Sequence, residues 1–308
     1  MGKVAFVFAG QGAQYPGMGK ELYEMSAAAR SLMDAAERIR PGTLQMCFSG
    51  DKAELSQTIH TQPCLYMVDC ACAWALREAG VGPDAVAGFS LGEVAAAAFA
   101  GMMSFEEGFR LVVRRAELMQ ACAQKHPGGM AAVLKLTGEQ VEEICSRFPE
   151  AWPVNYNCPG QTVVACRAED MDDFAAAVKA ASGRAMKLSV SGAFHSPYMR
   201  EAAEGLREYL KEHPLNAPAL PVYANRTARP YEGDAGELLS SQIASPVRWQ
   251  QTVENMRADG VNVFVEVGAG TTLCGLIGKT DSSLVTANVQ DISSLTAAVE
   301  ITREATVC

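Results

Sequence analysis

Gly88, Ser90 and Gly92 form a Gly-x-Ser-x-Gly pattern between a short apolar run and an alanine-rich run. A serine on a sharp strand-to-helix turn holds its hydroxyl clear of the sheet, where it can attack a carbonyl group. The amide of Leu91, at the N-terminus of the predicted helix, could then stabilise the oxyanion that forms. The pattern also arises by chance, so a glycine-rich turn with an N-capping serine remains the alternative.

A serine nucleophile needs a base, and the chain has three histidines after Ser90. His126 and His213 each precede a proline in polar sequence that ends a predicted helix, so we expect both to face solvent. His195 lies where the chain returns from a small predicted unit to a larger one, and such junctions often form sites. The residues alone leave a catalytic and a structural role for His195 evenly balanced.

Arg115 lies in the middle of an apolar stripe on the helix predicted at 104–124. The stripe consists of Leu111, Val112, Leu118, Met119 and Cys122. A charge on a buried helix face needs a partner. Two interpretations remain open: an ion pair with a carboxylate of the core, or a guanidinium that binds a substrate carboxylate through two parallel N–H donors.

Two glycine-containing loops could bind phosphate, but neither matches a nucleotide-binding motif. Residues 10–14 (GQGAQ) follow the first predicted strand, and Tyr15 occupies the third glycine position of the dinucleotide fingerprint. Residues 278–280 (GKT) resemble the end of a P-loop, but Leu273 stands at its first glycine position. The first loop could still supply an amide to an anion.

Composition restricts the class of protein. The chain has 308 residues, 49% of them apolar and 20% charged, which is typical of a globular protein of about two domains. Its net charge of −9 argues against nucleic acid or an anionic membrane as partner. With no apolar run of ~20 residues and no signal sequence, we expect a cytoplasmic protein. The ten cysteines and four histidines lack metal-ligand spacing, so we expect reduced thiols and no metal site.

Two regions of strand–helix alternation flank a region with a different order of elements. The flanking regions are typical of an α/β domain with a parallel sheet. Their predicted strands are 4–8, 85–88, 220–224, 261–267 and 284–287, and their predicted helices are 19–38, 63–76, 91–100, 104–124, 197–213, 246–257 and 273–279.

The middle region has the order β-α-β-β-α-β, which is that of a ferredoxin-like unit. Its predicted strands are 130–136, 152–157, 161–166 and 185–190, and its predicted helices are 137–148 and 169–181. We therefore predict a discontinuous large domain, 1–126 and 192–308, with a small subdomain, 127–191, inserted into it.

Motifs over nearly the whole chain resemble those of malonyl-CoA:acyl carrier protein transacylases and related polyketide acyltransferases. They are FAGQGAQ (8–14), GFSLGE (88–93), RR (114–115) leading to MQ (119–120), GMAAV (129–133), NCPGQ (157–161), FHSP (194–197), QIASPVRW (242–249) and EVGAG (266–270). The family's fold, a hydrolase-like α/β domain with a ferredoxin-like insert, agrees with the predicted order of elements.

The resemblance implies a role for each matching catalytic residue. Ser90 would be the nucleophile, and His195 would be its base. The backbone carbonyl of Gln242 would orient His195 in place of the acid of a Ser-His-Asp triad. The amides of Gln11 and Leu91 would form the oxyanion hole.

The resemblance also implies substrate contacts. Arg115 would bind the malonyl carboxylate, with Met119 nearby. Phe194 would crowd an α-methyl group and so favour malonyl over methylmalonyl. Asn157 and Gln161 would lie near the mouth of the cleft between the two domains.

One departure from the family pattern affects the surroundings of the nucleophile. Phe89 stands where many members have histidine, which removes a hydrogen bond that the histidine could make. Ala9 and Ala269 replace common prolines, and Cys166 replaces a frequent glycine, but none of these removes a proposed catalytic group.

The implied activity is transfer of a malonyl group from malonyl-CoA to the phosphopantetheine thiol of acyl carrier protein, through a malonyl-serine intermediate, in fatty-acid biosynthesis. We expect no cofactor, no metal and a monomer. Acidic carrier proteins would need a basic patch, for which the candidates are Arg184, Lys187, Arg200 and Lys279. The alternatives are a stand-alone acyltransferase of a polyketide synthase (PKS), a serine esterase and a non-catalytic carrier-binding protein.

Overall fold

A five-stranded parallel sheet forms the centre of the larger part of the molecule, with strand order β7-β2-β1-β8-β9. The structure is a computed structural model that describes residues 2–190 and 192–307. The strands are β1 (Lys3–Phe8), β2 (Ala85–Gly88), β7 (Val222–Tyr223), β8 (Val261–Val267) and β9 (Val285–Val289). Residues 4–8 of β1 are all buried, as expected for a strand covered by helices on both faces.

A four-stranded antiparallel sheet forms the smaller part, with strand order β4-β5-β3-β6. Its elements are β3 (Gly128–Leu134), α8 (Gly138–Cys145), β4 (Ala151–Cys158), β5 (Gln161–Arg167), α9 (Met171–Ala180) and β6 (Arg184–Lys187). This confirms the predicted fold class, a parallel-sheet domain with a ferredoxin-like insertion. The exact domain boundaries stay a prediction, and Met1, Ser191 and Cys308 lie outside the described residues.

Helices surround the parallel sheet. Before β3 they are α1 (Lys20–Met25), α2 (Ala27–Ile39), α3 (Thr43–Ser49), α4 (Lys52–Leu55), α5 (Thr58–Glu78), α6 (Leu91–Phe99) and α7 (Phe105–Lys125). After β6 come a single 3-10 turn (Pro197–Met199) and α10 (Arg200–Glu212), α11 (Ala235–Gln242), α12 (Trp249–Ala258), α13 (Thr272–Thr280) and α14 (Ile292–Val307).

Several predicted bounds were wrong for local reasons. The helix predicted at 19–38 is two helices, because Ser26 has an extended backbone and its hydroxyl caps α2 by accepting from Ala29 N. The helix predicted at 63–76 begins five residues earlier and contains Pro63 in its second turn. The strand predicted at 220–224 has only two residues in the sheet, Val222 and Tyr223.

The register of the parallel sheet brings the functional loops together. Phe8, at the end of β1, pairs with Gly88 of β2 on one side and with Val267 of β8 on the other. The segments that follow these three residues therefore emerge side by side at the carboxyl edge, where open α/β sheets commonly hold their sites.

Candidate active site

Ser90 occupies a tight turn between β2 and α6, with φ 54° and ψ −101°. The flanking glycines are required by close backbone contacts. A Cβ atom on Gly88 would lie 1.9 Å from the carbonyl carbon of Gly92, and one on Gly92 would lie 2.2 Å from the carbonyl oxygen of Phe8. The Gly-x-Ser-x-Gly pattern is thus a packing requirement of a turn that exposes the serine hydroxyl.

His195 is placed against this serine. Its Nε2 lies 2.7 Å from Ser90 Oγ, although the residues are 105 positions apart in the chain. Its Nδ1 lies 3.0 Å from the carbonyl oxygen of Gln242 and 3.2 Å from that of Ser245. Because carbonyl oxygens only accept, Nδ1 must donate, which leaves Nε2 free to accept a proton from the serine.

The surroundings keep the imidazole of His195 neutral. Only 4% of the residue is exposed. Burial, and to a smaller extent the positive charge of Arg115, lower the pKa of His195 to about 4. The ring can therefore act as a base near neutral pH.

Arg115 reaches the same point from α7 and is 1% exposed. Its Nη1 donates to Gln62 Oε1 at 2.8 Å, and its Nη2 donates to Gln242 Oε1 at 3.0 Å and to Ser90 Oγ at 3.2 Å. Burial lowers the pKa of Arg115 to about 10, so the guanidinium stays charged. Among the described residues, the hydrogen-bond acceptors of Arg115 are neutral.

Gln242, the last residue of α11, connects these groups. Its backbone carbonyl faces His195, and its side-chain Oε1 faces Arg115. Its Nε2 donates to the Ser90 carbonyl at 2.6 Å and to Glu93 Oε2 at 2.9 Å. The resemblance implied only the backbone contact, so the side-chain contacts are additional.

Asn225 and Glu93, to which no motif assigned a role in the site, complete the buried network. Asn225 Oδ1 accepts from Ser90 N at 2.7 Å, and its Nδ2 donates to the Gly88 carbonyl at 2.6 Å. Glu93 is fully buried on α6, where a charged residue in an otherwise apolar helix was the available signal. In the sequence, Asn225 stands out only as part of an Asn-x-Thr glycosylation pattern.

A cleft leads to this cluster from the space between the two sheets. Its inner part, about 80 Å³, is lined by Ser90 and His195 together with Gln11, Met119 and Phe194. Its outer part, about 490 Å³, is lined by residues 10–14, Asn157 and Gln161 among others. Both parts share Gln11, Phe89, Asn155, Leu188 and Val190.

Of the remaining predicted residues, Leu91 lies at the site and the four basic candidates do not. Leu91 directly follows Ser90 and is the first residue of α6. The basic candidates Arg184, Lys187, Arg200 and Lys279 do not line the cleft, whereas Lys52 does.

Phe89, one of the residues that depart from the family pattern, packs its ring edge-on against Trp249, with ring centroids 5.6 Å apart. It lies in the cleft wall, so an apolar contact replaces the polar one that a histidine could make.

Within residues 2–190 and 192–307, no group of three or more His, Cys, Asp or Glu side chains could hold a metal ion. In the same part of the chain, no helix is both long and apolar enough to cross a membrane.

The chain is similar to known proteins over almost its whole length. A family model described as "Acyl transferase domain" matches residues 5–307. The malonyl CoA-acyl carrier protein transacylase of Bacillus subtilis is 36% identical over 99% of this chain and 98% of its own. The crystal structure of the corresponding Clostridium perfringens protein superposes with a TM-score of 0.94 at 35% identity, covering 99% of this chain and 98% of that one.

A second similar structure contains a partner. It is a type II PKS acyl-carrier protein in complex with its malonyl-transacylase, and the match has a TM-score of 0.93 at 32% identity. It covers 97% of this chain and 99% of that one.

Proposed function

Since this chain belongs to the acyl transferase family, we propose that it transfers a malonyl group from malonyl-CoA to the phosphopantetheine thiol of an acyl carrier protein. The observation that carries the proposal is the position of Ser90 Oγ, 2.7 Å from the His195 imidazole and 3.2 Å from the Arg115 guanidinium. A nucleophile, a base and a fixed cation thus meet at one atom.

The first half of the reaction forms a malonyl-serine ester. His195 Nε2 takes the proton from Ser90 Oγ as the oxygen attacks the thioester carbonyl. The amides of Gln11 and Leu91 stabilise the tetrahedral oxyanion, and removing one such donor typically costs ~10²–10³ in rate. The C–S bond then breaks, and His195 returns its proton to the departing CoA thiolate.

The second half reverses the roles. CoA leaves, and the phosphopantetheine thiol of the carrier takes its place. His195 accepts the thiol proton, the sulfur attacks the malonyl ester, and Ser90 leaves with that proton. The chemistry is therefore ping-pong, and it needs no cofactor because the thioester already carries an activated acyl group.

Selectivity for malonyl follows from the charge and size of the inner cleft. Arg115 offers a planar pair of donors to the carboxylate at the far end of the acyl group. Met119 and Phe194, both buried, line the inner cleft, so an added α-methyl group would meet the Phe194 ring. Asn157 and Gln161 would contact the longer part of the thioester in the outer cleft.

We propose fatty-acid synthesis as the pathway that the family resemblance implies; it is supported by several relatives named malonyl CoA-acyl carrier protein transacylase, with no polyketide carrier in their names. A second candidate, a PKS carrier, is supported by the similar complex with a type II PKS acyl-carrier protein. Action as a cytoplasmic monomer stays a prediction. Rates with the two types of carrier, measured with one malonyl-loaded preparation, distinguish the pathways.

Intact-mass spectrometry after mixing with malonyl-CoA tests the proposal. We expect the protein to gain one malonyl unit at Ser90, to lose it when a phosphopantetheinylated carrier is added, and to show no gain in Ser90→Ala. Rapid release of free malonate without transfer would indicate an esterase instead. No adduct at all would indicate a non-catalytic carrier-binding protein.

A further inference from the structure

Glu93 is a fully buried carboxylate that the mechanism above does not use. Its Oε2 accepts from Gln242 Nε2 at 2.9 Å and from Asn225 N at 3.0 Å, and its Oε1 accepts from the Tyr231 hydroxyl at 2.5 Å. Gln242 thus connects Glu93 to both the Ser90 turn and the Arg115 guanidinium.

The side-chain amide of Gln242 has two possible orientations, and only one of them fits its neighbours. In the observed orientation Nε2 faces three acceptors, the Ser90 carbonyl, Glu93 and Asn225 Oδ1, while Oε1 faces the donor Arg115. A flip of the amide would place oxygen against those three acceptors and N–H against the guanidinium. The two amide-type oxygens can only accept, and so can an ionised Glu93, so together they select the observed orientation.

The orientation of Gln242 in turn sets the position of Arg115. The guanidinium is held at two corners by amide oxygens, from Gln62 at 2.8 Å and from Gln242 at 3.0 Å. Neither of these acceptors is charged. A substrate carboxylate can therefore bind this cation without displacing an internal ion pair, provided that both amides stay in place.

We propose that Glu93 is a positioning residue for malonyl selectivity, acting through the Gln242 amide to hold Arg115 toward the acyl group. This inference rests on the proposed function. It assigns Glu93 a larger effect on recognition of the carboxylate than on the chemistry at Ser90.

Neighbouring donors help Glu93 to act in this way. Burial raises the pKa of Glu93 to about 7, while hydrogen bonds from Tyr231, Asn225 and Gln242 and the charge of Arg115 oppose the rise. Even when it is protonated, Glu93 retains a carbonyl oxygen that can accept from Gln242, so reach matters more than charge.

Two conservative variants separate reach from charge. Glu93→Gln keeps an oxygen at the same distance and loses the charge, whereas Glu93→Asp keeps the charge and withdraws the oxygens by one methylene. The measurement is kcat/KM for loading Ser90 from malonyl-CoA and, separately, from acetyl-CoA, which has no carboxylate for Arg115.

We expect Glu93→Asp to lower the malonyl-to-acetyl ratio about 10- to 100-fold, the effect of a lost hydrogen bond to a charged group. We expect Glu93→Gln to keep the ratio within about threefold, as the conservative rescue. Equal losses for both substrates in Glu93→Asp, or a larger loss of the ratio in Glu93→Gln, would overturn the inference. If the wild type did not load malonyl at all, the proposed function itself would fail.

Discussion

Replacing Arg115 with methionine should remove the preference for malonyl without removing the nucleophile or the base. Methionine has similar length and no charge, so it fits the buried site on α7. In the proposed complex Arg115 pairs with the malonyl carboxylate. Removing one partner of such a buried charged pair costs about 3–5 kcal/mol, and each 1.4 kcal/mol is tenfold in rate. We therefore expect kcat/KM for malonyl-CoA to fall about 10²–10⁴-fold.

Loading from acetyl-CoA should respond in the opposite direction. In the wild type, an acetyl group leaves the Arg115 guanidinium buried with only the Gln62, Gln242 and Ser90 oxygens as partners. Removing that charge relieves its desolvation, so acetyl loading should stay equal or increase. A competition assay with differently labelled malonyl-CoA and acetyl-CoA measures both effects in one mixture.

Arg115→Lys is the matched control, because it keeps a positive charge and loses the planar pair of donors. We expect it to retain part of the malonyl preference. If Arg115→Met selected malonyl as well as the wild type does, Arg115 would not contact the acyl group, and the carboxylate would have to bind elsewhere.

Two further predictions concern pH. Burial and the charge of Arg115 lower the pKa of His195 to about 4, so the base is neutral at higher pH. We therefore expect the rate of Ser90 acylation, measured by burst kinetics, to decline only as pH drops through about 4. A decline centred near 6.5, the ordinary pKa of histidine, would contradict this. Burial, with a smaller contribution from Glu266, raises the pKa of Asp69 well above 3.8, and both its carboxylate oxygens lack hydrogen-bond partners. Asp69 therefore takes up a proton on folding between about pH 4 and its raised pKa. The stability that it contributes is complete below about pH 4 and is lost as pH rises toward the raised pKa, by up to about 1.4 kcal/mol per pH unit. Asp69→Asn should remove this pH dependence from the free energy of unfolding measured in urea; if the variant kept the wild-type difference in that free energy between mildly acidic and neutral pH, the prediction would be wrong.

The order of elements was predictable from the sequence because each sheet has its own pattern. Continuous apolar runs predicted the doubly covered strands of the parallel sheet, and the strand–helix order of the insert matched the four antiparallel strands. Helices α3, α4, α11 and α14 were missed. Of these, α11 contains Gly and two Ser, and α14 contains many β-branched residues, so both have weak intrinsic helix propensity. In the structure α11 packs against α10, and α14 packs against β9. These tertiary contacts cannot be read from the local sequence.

The candidate site was only partly predictable for a similar reason. The glycine spacing around Ser90 reflects close backbone contacts, and the apolar stripe around Arg115 reflects burial of one helix face. Both features can be read from residues that are close together in the sequence. The choice of His195 among three histidines depends on a contact across 105 positions. Family resemblance supplied that residue, whereas the contacts of the Gln62 amide and of the Glu93 carboxylate appeared only with the folded chain.

Side chains of the site hydrogen-bond to the backbone of Ser90, and the strained conformation of that turn gives these bonds a role. Ser90 and His195 both have positive φ, 54° and 62°, a region that costs a non-glycine residue about 1–3 kcal/mol. At Ser90 the amide donates to Asn225 and the carbonyl accepts from Gln242, so the turn is held on both sides. Because Gln242 also holds Arg115, loosening this amide should disturb the nucleophile turn and carboxylate recognition together. Selectivity and reactivity in this fold are therefore coupled through one side chain.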